Sequence, residues 1–364
     1  MMNLTRASEY IKSQGYQIDD ITFVPEGSSH DIFFFTSEGR NLVARFEKKG
    51  SHDFGGVRRD FHYNGLISLE REAFLCNLVR ESANLPAPKI DGVFPSLEAS
   101  FIVAQRMPGV PWNQFIQEKN YSKSDFIASM EFLAEDIAKA QQVVFASYGD
   151  IMPGGEIFPT GIQSFAQRLN SMVDLKLQRE EQKGGATSSE LDQIRSYFGK
   201  SISSLDDQLK SYHEKPVLVL ADFHATNFLV DERGKPSGYF DLEFCQAGMP
   251  TLEFNMIQLQ LLNYFDQNTF EEAKDIFFKT LQKAGSKYDP SAQVHSEVDK
   301  ILSAGRMLTC VTAYHGVKDG LRDTWSERCK ELIFEIIDHG KIDYASFADI
   351  MREKTKQPKS PSLP

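Results

Sequence analysis

The residues of this chain that could do chemistry gather between Val217 and Glu243. The run Val217-Leu-Val-Leu-Ala-Asp222-Phe-His-Ala-Thr-Asn227-Phe-Leu-Val230 leads into Asp231-Glu-Arg-Gly-Lys-Pro-Ser-Gly238 and then Tyr239-Phe-Asp241-Leu-Glu243. It reads as strand, polar loop, strand, turn and strand. Asp222, Asn227 and Asp241 therefore fall at or beside strand ends, where side chains reach a cleft while their apolar neighbours are buried. Two carboxylates and an amide oxygen make a hard, all-oxygen set suited to Mg2+. Phosphoryl transfer from ATP fits that set, because it asks for a hydroxyl placed in line, metal on the phosphates and neutralisation of growing charge. Asp222 would accept or orient the hydroxyl proton, while Asn227 and Asp241 would hold magnesium, Asp241 against the β- and γ-phosphates. Upstream, Arg45 would pair with the phosphates and Glu72 would fix the Arg45 side chain.

As bare patterns these are weak, since Asp-x4-Asn recurs by chance; the flanking apolar strands and the turn at Arg233-Gly-Lys-Pro-Ser-Gly raise it. Glu70 competes with Glu72, both lying in the first turns of one helix, where either complements the helix dipole. Arg45 also reads as a solvated residue of an edge strand. His224 could touch phosphate or substrate, or simply fill the loop, and Glu243 is a candidate substrate contact. The turn Gly27-Ser28-Ser29 could fold its N–H groups over phosphates, although alone it is an ordinary hairpin. Among later acids, Glu271, Glu272, Asp275, Asp319 and Asp323 could meet an amine, while a solvated helix face explains the same pattern.

The elements that must position these groups follow from periodicity. Residues 4–14 predict a short amphipathic helix, and 21–24, 31–35 and 42–46 predict strands of a small antiparallel sheet. A polar loop spans 47–66. Ser68 opens a helix to Arg80 that carries Glu70 and Glu72. Residues 100–104 form another buried strand, and Gln105-Arg-Met107-Pro-Gly109 breaks the pattern as a hinge. Beyond it, 123–146, 160–183, 188–212, 251–285, 292–318 and 325–340 carry helical spacing. The expectation is an α+β chain with a nucleotide-binding lobe over 1–107, a helical catalytic and acceptor-binding lobe over 108–350, and a disordered tail over 351–364.

Composition excludes several other functions. A formal charge of -11 argues against a nucleic-acid partner, which needs clustered Lys and Arg. Cys76, Cys245, Cys310 and Cys329 lack CxxC spacing, so reduced thiols are expected rather than a disulfide framework or zinc site. No apolar run is long enough to span a bilayer. A soluble, cytoplasmic protein, monomeric or weakly dimeric, is the expectation.

The order and wording of these motifs resembles the aminoglycoside phosphotransferase and choline kinase-like family, over most of residues 20–255. The resemblance rests on Glu26-Gly-Ser-Ser-His-Asp-Ile-Phe, Leu42-Val-Ala-Arg45, Arg71-Glu72-Ala, Gln105 to Gly109, the Asp222 loop and Phe240-Asp241-Leu-Glu243. It is nearest the hygromycin B phosphotransferase branch, whose catalytic loop also reads Ala-Asp-Phe. The resemblance implies a two-lobed protein kinase-like fold, with Gly27, Ser28, Ser29, Arg45 and Glu72 at the nucleotide phosphates and Gln105 and Met107 at the hinge. It implies ATP or GTP with Mg2+ as cofactors and a small acceptor bearing a hydroxyl and an amine, an aminoglycoside first. A metabolic kinase of an amino alcohol or sugar is the alternative, and a non-catalytic nucleotide-binding regulator a third. Two positions depart from the family pattern: Leu220 stands where a loop-anchoring His is usual, and Glu253 where Asp is usual.

Overall fold

The computed structural model of the chain describes residues 2–25, 30–48, 53–54, 57–60, 63–96, 98–118, 122–159, 162, 164–211, 215–261, 267–316 and 321–356. Helix α1 (Leu4–Ser13) precedes strands β1 (Asp20–Val24), β2 (His30–Ser37) and β3 (Arg40–Glu47), and a two-residue ribbon, β4 (Asp53–Phe54) and β5 (Val57–Arg58), lies in the expected loop. Helix α2 (Leu69–Glu81) and strands β6 (Ile90–Phe94) and β7 (Phe101–Gln105) follow. The five-stranded antiparallel sheet runs β1-β2-β3-β7-β6, so β3 is its central strand and not an edge.

Strand alternation decides which way Arg45 faces. Leu42, Ala44 and Phe46 of β3 join Phe33 and Phe35 of β2, Phe101 and Val103 of β7, and Ala7 and Ile11 of α1 in one apolar layer. Arg45, one residue out of phase, is thereby turned to the opposite face. There α2 begins at Ser68, whose hydroxyl accepts from the Arg71 N–H at 3.1 Å. The expected capping, which fixes where the first helical turn presents its acids, is met.

Past the hinge, β8 (Val110–Pro111), α3 (Trp112–Glu118) and α4 (Lys123–Ala140) open the second lobe, followed by β9 (Gly149–Ile151), β10 (Ile157–Phe158), α5 (Phe165–Lys183) and α6 (Ser188–Ser211). The chemistry-bearing stretch then supplies β11 (Val217–Val219), β12 (Phe228–Val230), β13 (Pro236–Tyr239), a 3-10 turn at Leu242–Phe244 and β14 (Gln246–Gly248). Two small sheets result, β13-β12-β8 and β10-β9-β14-β11. Helices α7 (Thr251–Met256), α8 (Gln267–Lys283), α9 (Gln293–Tyr314), α10 (Leu321–His339) and α11 (Tyr344–Lys356) complete the lobe. The helical run expected over 251–285 is broken, because α7 passes into a π-helical turn at Ile257–Leu261. Leu75, Cys76 and Val79 of α2 belong to the same buried cluster as Trp112 and Phe126, while Leu69 and Ala73 pack with Ile102 of β7, so the helix is shared between the two lobes.

Helix α11 continues to Lys356, past residue 351 where a disordered tail was expected, and the remainder of that expected tail lies outside the described residues. Phe347 and Ile350 are fully buried, and Glu353 accepts from the Trp325 indole at 2.9 Å and from Arg328. A Lys- and Arg-rich outer face had hidden that apolar spacing. Among the described residues no helix is long and apolar enough to cross a membrane, and all four cysteines are free thiols.

The hinge is tight. Gly109 has φ +105°, and a Cβ there would lie 2.6 Å from the Val230 carbonyl oxygen. Gly109→Ala is therefore expected to lower the unfolding free energy by about 1–3 kcal/mol, read as a lower urea midpoint with unchanged slope.

Candidate active site

Two carboxylates hold the Arg45 guanidinium across the gap between the lobes. One Nη atom donates to Glu72, and the other donates to Asp241 Oδ1 at 2.7 Å and lies 3.2 Å from His30 Nδ1. Glu72 is buried while Glu70 is exposed, which settles the choice between them. Burial pushes the Glu72 carboxyl up, with Arg45 opposing and Asp241 adding to it. Glu243 is also buried, and desolvation followed by the charges of Asp241 and Glu72 raises it well above the usual range. Burial works against the Arg45 charge, yet Glu72, Asp241 and Glu243 together keep it firmly protonated.

The catalytic-loop candidates converge as expected. Asp222, Asn227 and Asp241 line one small cavity, about 240 Å³ of space not filled by atoms, together with Leu220, Phe223 and Tyr239. Asn227 donates its amide N–H to the Asp222 carbonyl at 3.1 Å and to Asp222 Oδ2 at 3.2 Å, which leaves Oδ1 as its ligand atom for a cation. Asp241 sits at φ 61°, in the left-handed region, between the end of β13 and the 3-10 turn, with its side chain about one-third exposed. That backbone twist turns the carboxylate into the cavity instead of along the strand. Desolvation raises Asp222, but His224 and then Arg306 outweigh it, so its carboxyl lies below the usual range. Two oxygens from carboxylates and one from an amide fit a hard divalent cation. His30, Glu72 and Glu243 also lie close enough to share a metal ion, although the Arg45 guanidinium stands beside them.

Four contacts that were not foreseen hold this loop. Leu220, in place of the usual His, donates its backbone N–H to Glu253 Oε1 at 3.1 Å. The Tyr63 hydroxyl donates to the Ala221 carbonyl at 3.1 Å, with Ala221 at φ 64°. The Cys245 thiol lies 3.7 Å from the Leu220 carbonyl. Arg71, wholly buried, donates to the carbonyls of Leu66 and Ile151 and to those of Glu243 and Cys245, just past Asp241. The pairing of Arg71 with Glu72 in sequence was the available signal: one side chain faces the cleft and its neighbour clamps the backbone behind it.

Other expectations shift. Glu243 is walled in beside Asp241 and Glu72, so the substrate contact assigned to it is corrected to a buried charge partner. His224 turns inward, its Nε2 3.3 Å from Asp222 Oδ2 and its Nδ1 2.8 Å from Thr226 Oγ1. At the hinge the Gln105 N–H is engaged by the Lys89 carbonyl and the Arg106 N–H by Asn41, while Met107 packs over Gly238. Gly27, Ser28 and Ser29 lie outside the described residues, as do the side chains of Asp319 and Asp323. Glu272 pairs with Lys123 and Asp275 with Lys279 on exposed surface.

A two-lobed, kinase-like enzyme of phosphoryl transfer is the class that this fold and site define. Residues 20–290 match the model of the phosphotransferase enzyme family, and the chain belongs to that family. Solved structures agree in fold. A thermostable mutant of the aminoglycoside phosphotransferase APH(4)-Ia, in ternary complex with ADP and hygromycin B, is similar at 15% identity and TM-score 0.60 over 92% of this chain and 99% of that one. A putative fructosamine-3-kinase from Haemophilus somnus matches at 16% identity and TM-score 0.57, covering 87% of this chain and 92% of its own. A macrolide 2'-phosphotransferase type I matches at 14% identity and TM-score 0.54, covering 96% and 97%. No curated protein sequence matches the chain.

The Glu253 anchor carries a pH signature. Burial lifts its carboxyl from 4.5 to about 8, opposed by the Leu220 N–H. Between those values the folded state keeps a proton that the unfolded chain releases, so this group's contribution to stability is fully present below 4.5 and is lost as pH rises to about 8. The melting temperature of the wild type is expected to fall across that window relative to that of Glu253→Gln. Parallel pH profiles for the two proteins would contradict this.

Proposed function

We propose that this protein transfers the γ-phosphoryl group of a nucleoside triphosphate, ATP or GTP, to a hydroxyl of a small molecule in a magnesium-dependent reaction. The observation that carries the reading is the convergence of Asp222, Asn227 and Asp241 on one cavity, with Arg45 reaching it from the other lobe. Asn227 Oδ1 and the Asp241 carboxylate would hold magnesium, which supplies charge neutralisation on the phosphates. Asp222, kept ionised by His224 and Arg306, accepts a hydrogen bond from the acceptor hydroxyl and aligns its oxygen for in-line attack. Arg45 would present its guanidinium to the phosphates, and Glu72 keeps that guanidinium aimed. The loop needs no histidine at position 220, because Glu253 and Tyr63 hold its backbone, which favours an enzyme over a regulator.

An aminoglycoside acceptor is supported by the fold shared with a hygromycin B complex. The acids of α8 give it little support, since Glu272 and Asp275 are paired with lysines on the outer face. A kinase of a small metabolite is the reading that the cleft residues favour.

Asp222→Asn is expected to slow ADP release in the presence of an acceptor by about two to four orders of magnitude while leaving nucleotide affinity nearly intact. Unchanged turnover would remove Asp222 from the reaction. Asp241→Ala should instead abolish the magnesium dependence of nucleotide binding, measured by calorimetry with a non-hydrolysable ATP analogue.

A further inference from the structure

A second cleft lies beside the catalytic loop, between α5, α7 and α9. It holds about 370 Å³ of space not filled by atoms, part of it open to solvent, and its walls include Tyr63, Met172, Lys176, Asn255 and Arg306. Tyr63 ties it to the reaction centre, since the hydroxyl of this residue bonds to the carbonyl of Ala221, the neighbour of Asp222. Arg306 does so as well, because its charge helps to hold the Asp222 carboxyl low. An acceptor long enough to reach from Asp222 past Tyr63 would place another of its groups here.

Most of that lining is apolar, and its two charged residues, Lys176 and Arg306, are both cations, against the acidic balance of the whole chain. Nε and Nη1 of Arg306 are shielded from water and have no hydrogen-bond partner among the described residues. The guanidinium itself lines the cleft, and a planar carboxylate or a phosphate is the group that best matches such a fork of donors. Lys176, almost fully buried, crosses the same space with its Nζ donating to Thr309 Oγ1 at 2.9 Å. Its stem runs over Gly305, where a Cβ would lie 3.3 Å from it. The acids whose charges act on these cations are Asp60, on Lys176, and Asp222, on Arg306. Asp60 accepts from the Tyr63 and Gly65 N–H groups at 2.5 Å each, and Asp222 is held by Asn227 and His224. Burial and then the Arg306 charge push the Lys176 ammonium down to about 7, a repulsion that a bound anion would relieve and a bound amine would deepen.

We infer that Arg306 and Lys176 bind an anionic group, a carboxylate or a phosphate, on the hydroxylated acceptor, and so select against amine-bearing molecules. The inference rests on the phosphotransferase reading above and names the acceptor class for the same site.

The test titrates the full chain, saturated with magnesium and a non-hydrolysable ATP analogue, with gluconate, sorbitol 1-phosphate, sorbitol and 1-amino-1-deoxysorbitol. These differ in one terminal group. At least one of the anions is expected to bind about tenfold or more tighter than the neutral and aminated compounds. Arg306→Gln should erase that preference, Lys176→Gln should weaken it, and Arg306→Lys should retain part of it, with unchanged circular dichroism for each. Which anion wins separates a carboxylate from a phosphate acceptor. Equal binding across the set, tighter binding of the amine, no measurable binding of either anion, or a preference that survives Arg306→Gln overturns the inference. The Asp222→Asn turnover assay stands apart from this titration. Transfer lost in that variant without any anion preference would sink the acceptor class alone, whereas transfer unaffected by it would sink the phosphotransferase reading.

Discussion

A half-buried guanidinium held between two carboxylates keeps its place only if both remain in place, and the rest of this structure is arranged to keep them there. Arg45 reaches its position because the alternation of β3 sends Leu42, Ala44 and Phe46 into one apolar layer and leaves it on the other face. Three acids surround it, and their mutual repulsion in a buried site would drive them toward protonation were the cation absent. The pair with Glu72 is thus better understood as a device for orientation than as a source of stability, since burying ions costs about as much as their attraction returns. What it secures is a cation at a fixed place, facing the residues that handle phosphate.

The opposite wall is held through its backbone. Asp222 and Asp241 lie next to or at residues with left-handed φ, Ala221 and Asp241, conformations that non-glycine residues adopt only when their surroundings impose them. Those surroundings are the Tyr63 hydroxyl, the Glu253 carboxyl and the four carbonyls gripped by Arg71. A histidine at position 220 would be one way to fasten such a loop. Leu220 fills the apolar core instead, and the N–H behind it carries the fastening.

Much of this could be read before any coordinates existed, and what could not has a physical reason. Helix α2, its Ser68 cap, the three strands before it and the strand ends bearing Asp222, Asn227 and Asp241 follow from local periodicity and turn chemistry. The choice of Glu72 over Glu70 does not, because both occupy the same turn and only the neighbouring sheet decides which is covered. Two- and three-residue strands such as β8 and β14 carry no periodicity of their own and exist because a partner strand lies beside them. Glu243 read as a candidate substrate contact because burial of a carboxylate is a tertiary event. Arg306 and Lys176 gave no sequence signal at all, being single cations in long helices, and their meaning arises only from the space between α5 and α9.

Helix α2 bears the acid that aims Arg45, yet part of its apolar side, Leu75, Cys76 and Val79, belongs to the larger lobe's buried cluster, and Arg71 bolts it to the segment after Asp241. In protein kinases the corresponding acid-bearing helix is a moving part, and its position is how activity is turned up or down. Here a comparable swing would have to pull Leu75, Cys76 and Val79 out of a packed interior and strand a buried guanidinium. An enzyme built this way would have little room to swing that helix away from Arg45 without opening its own core.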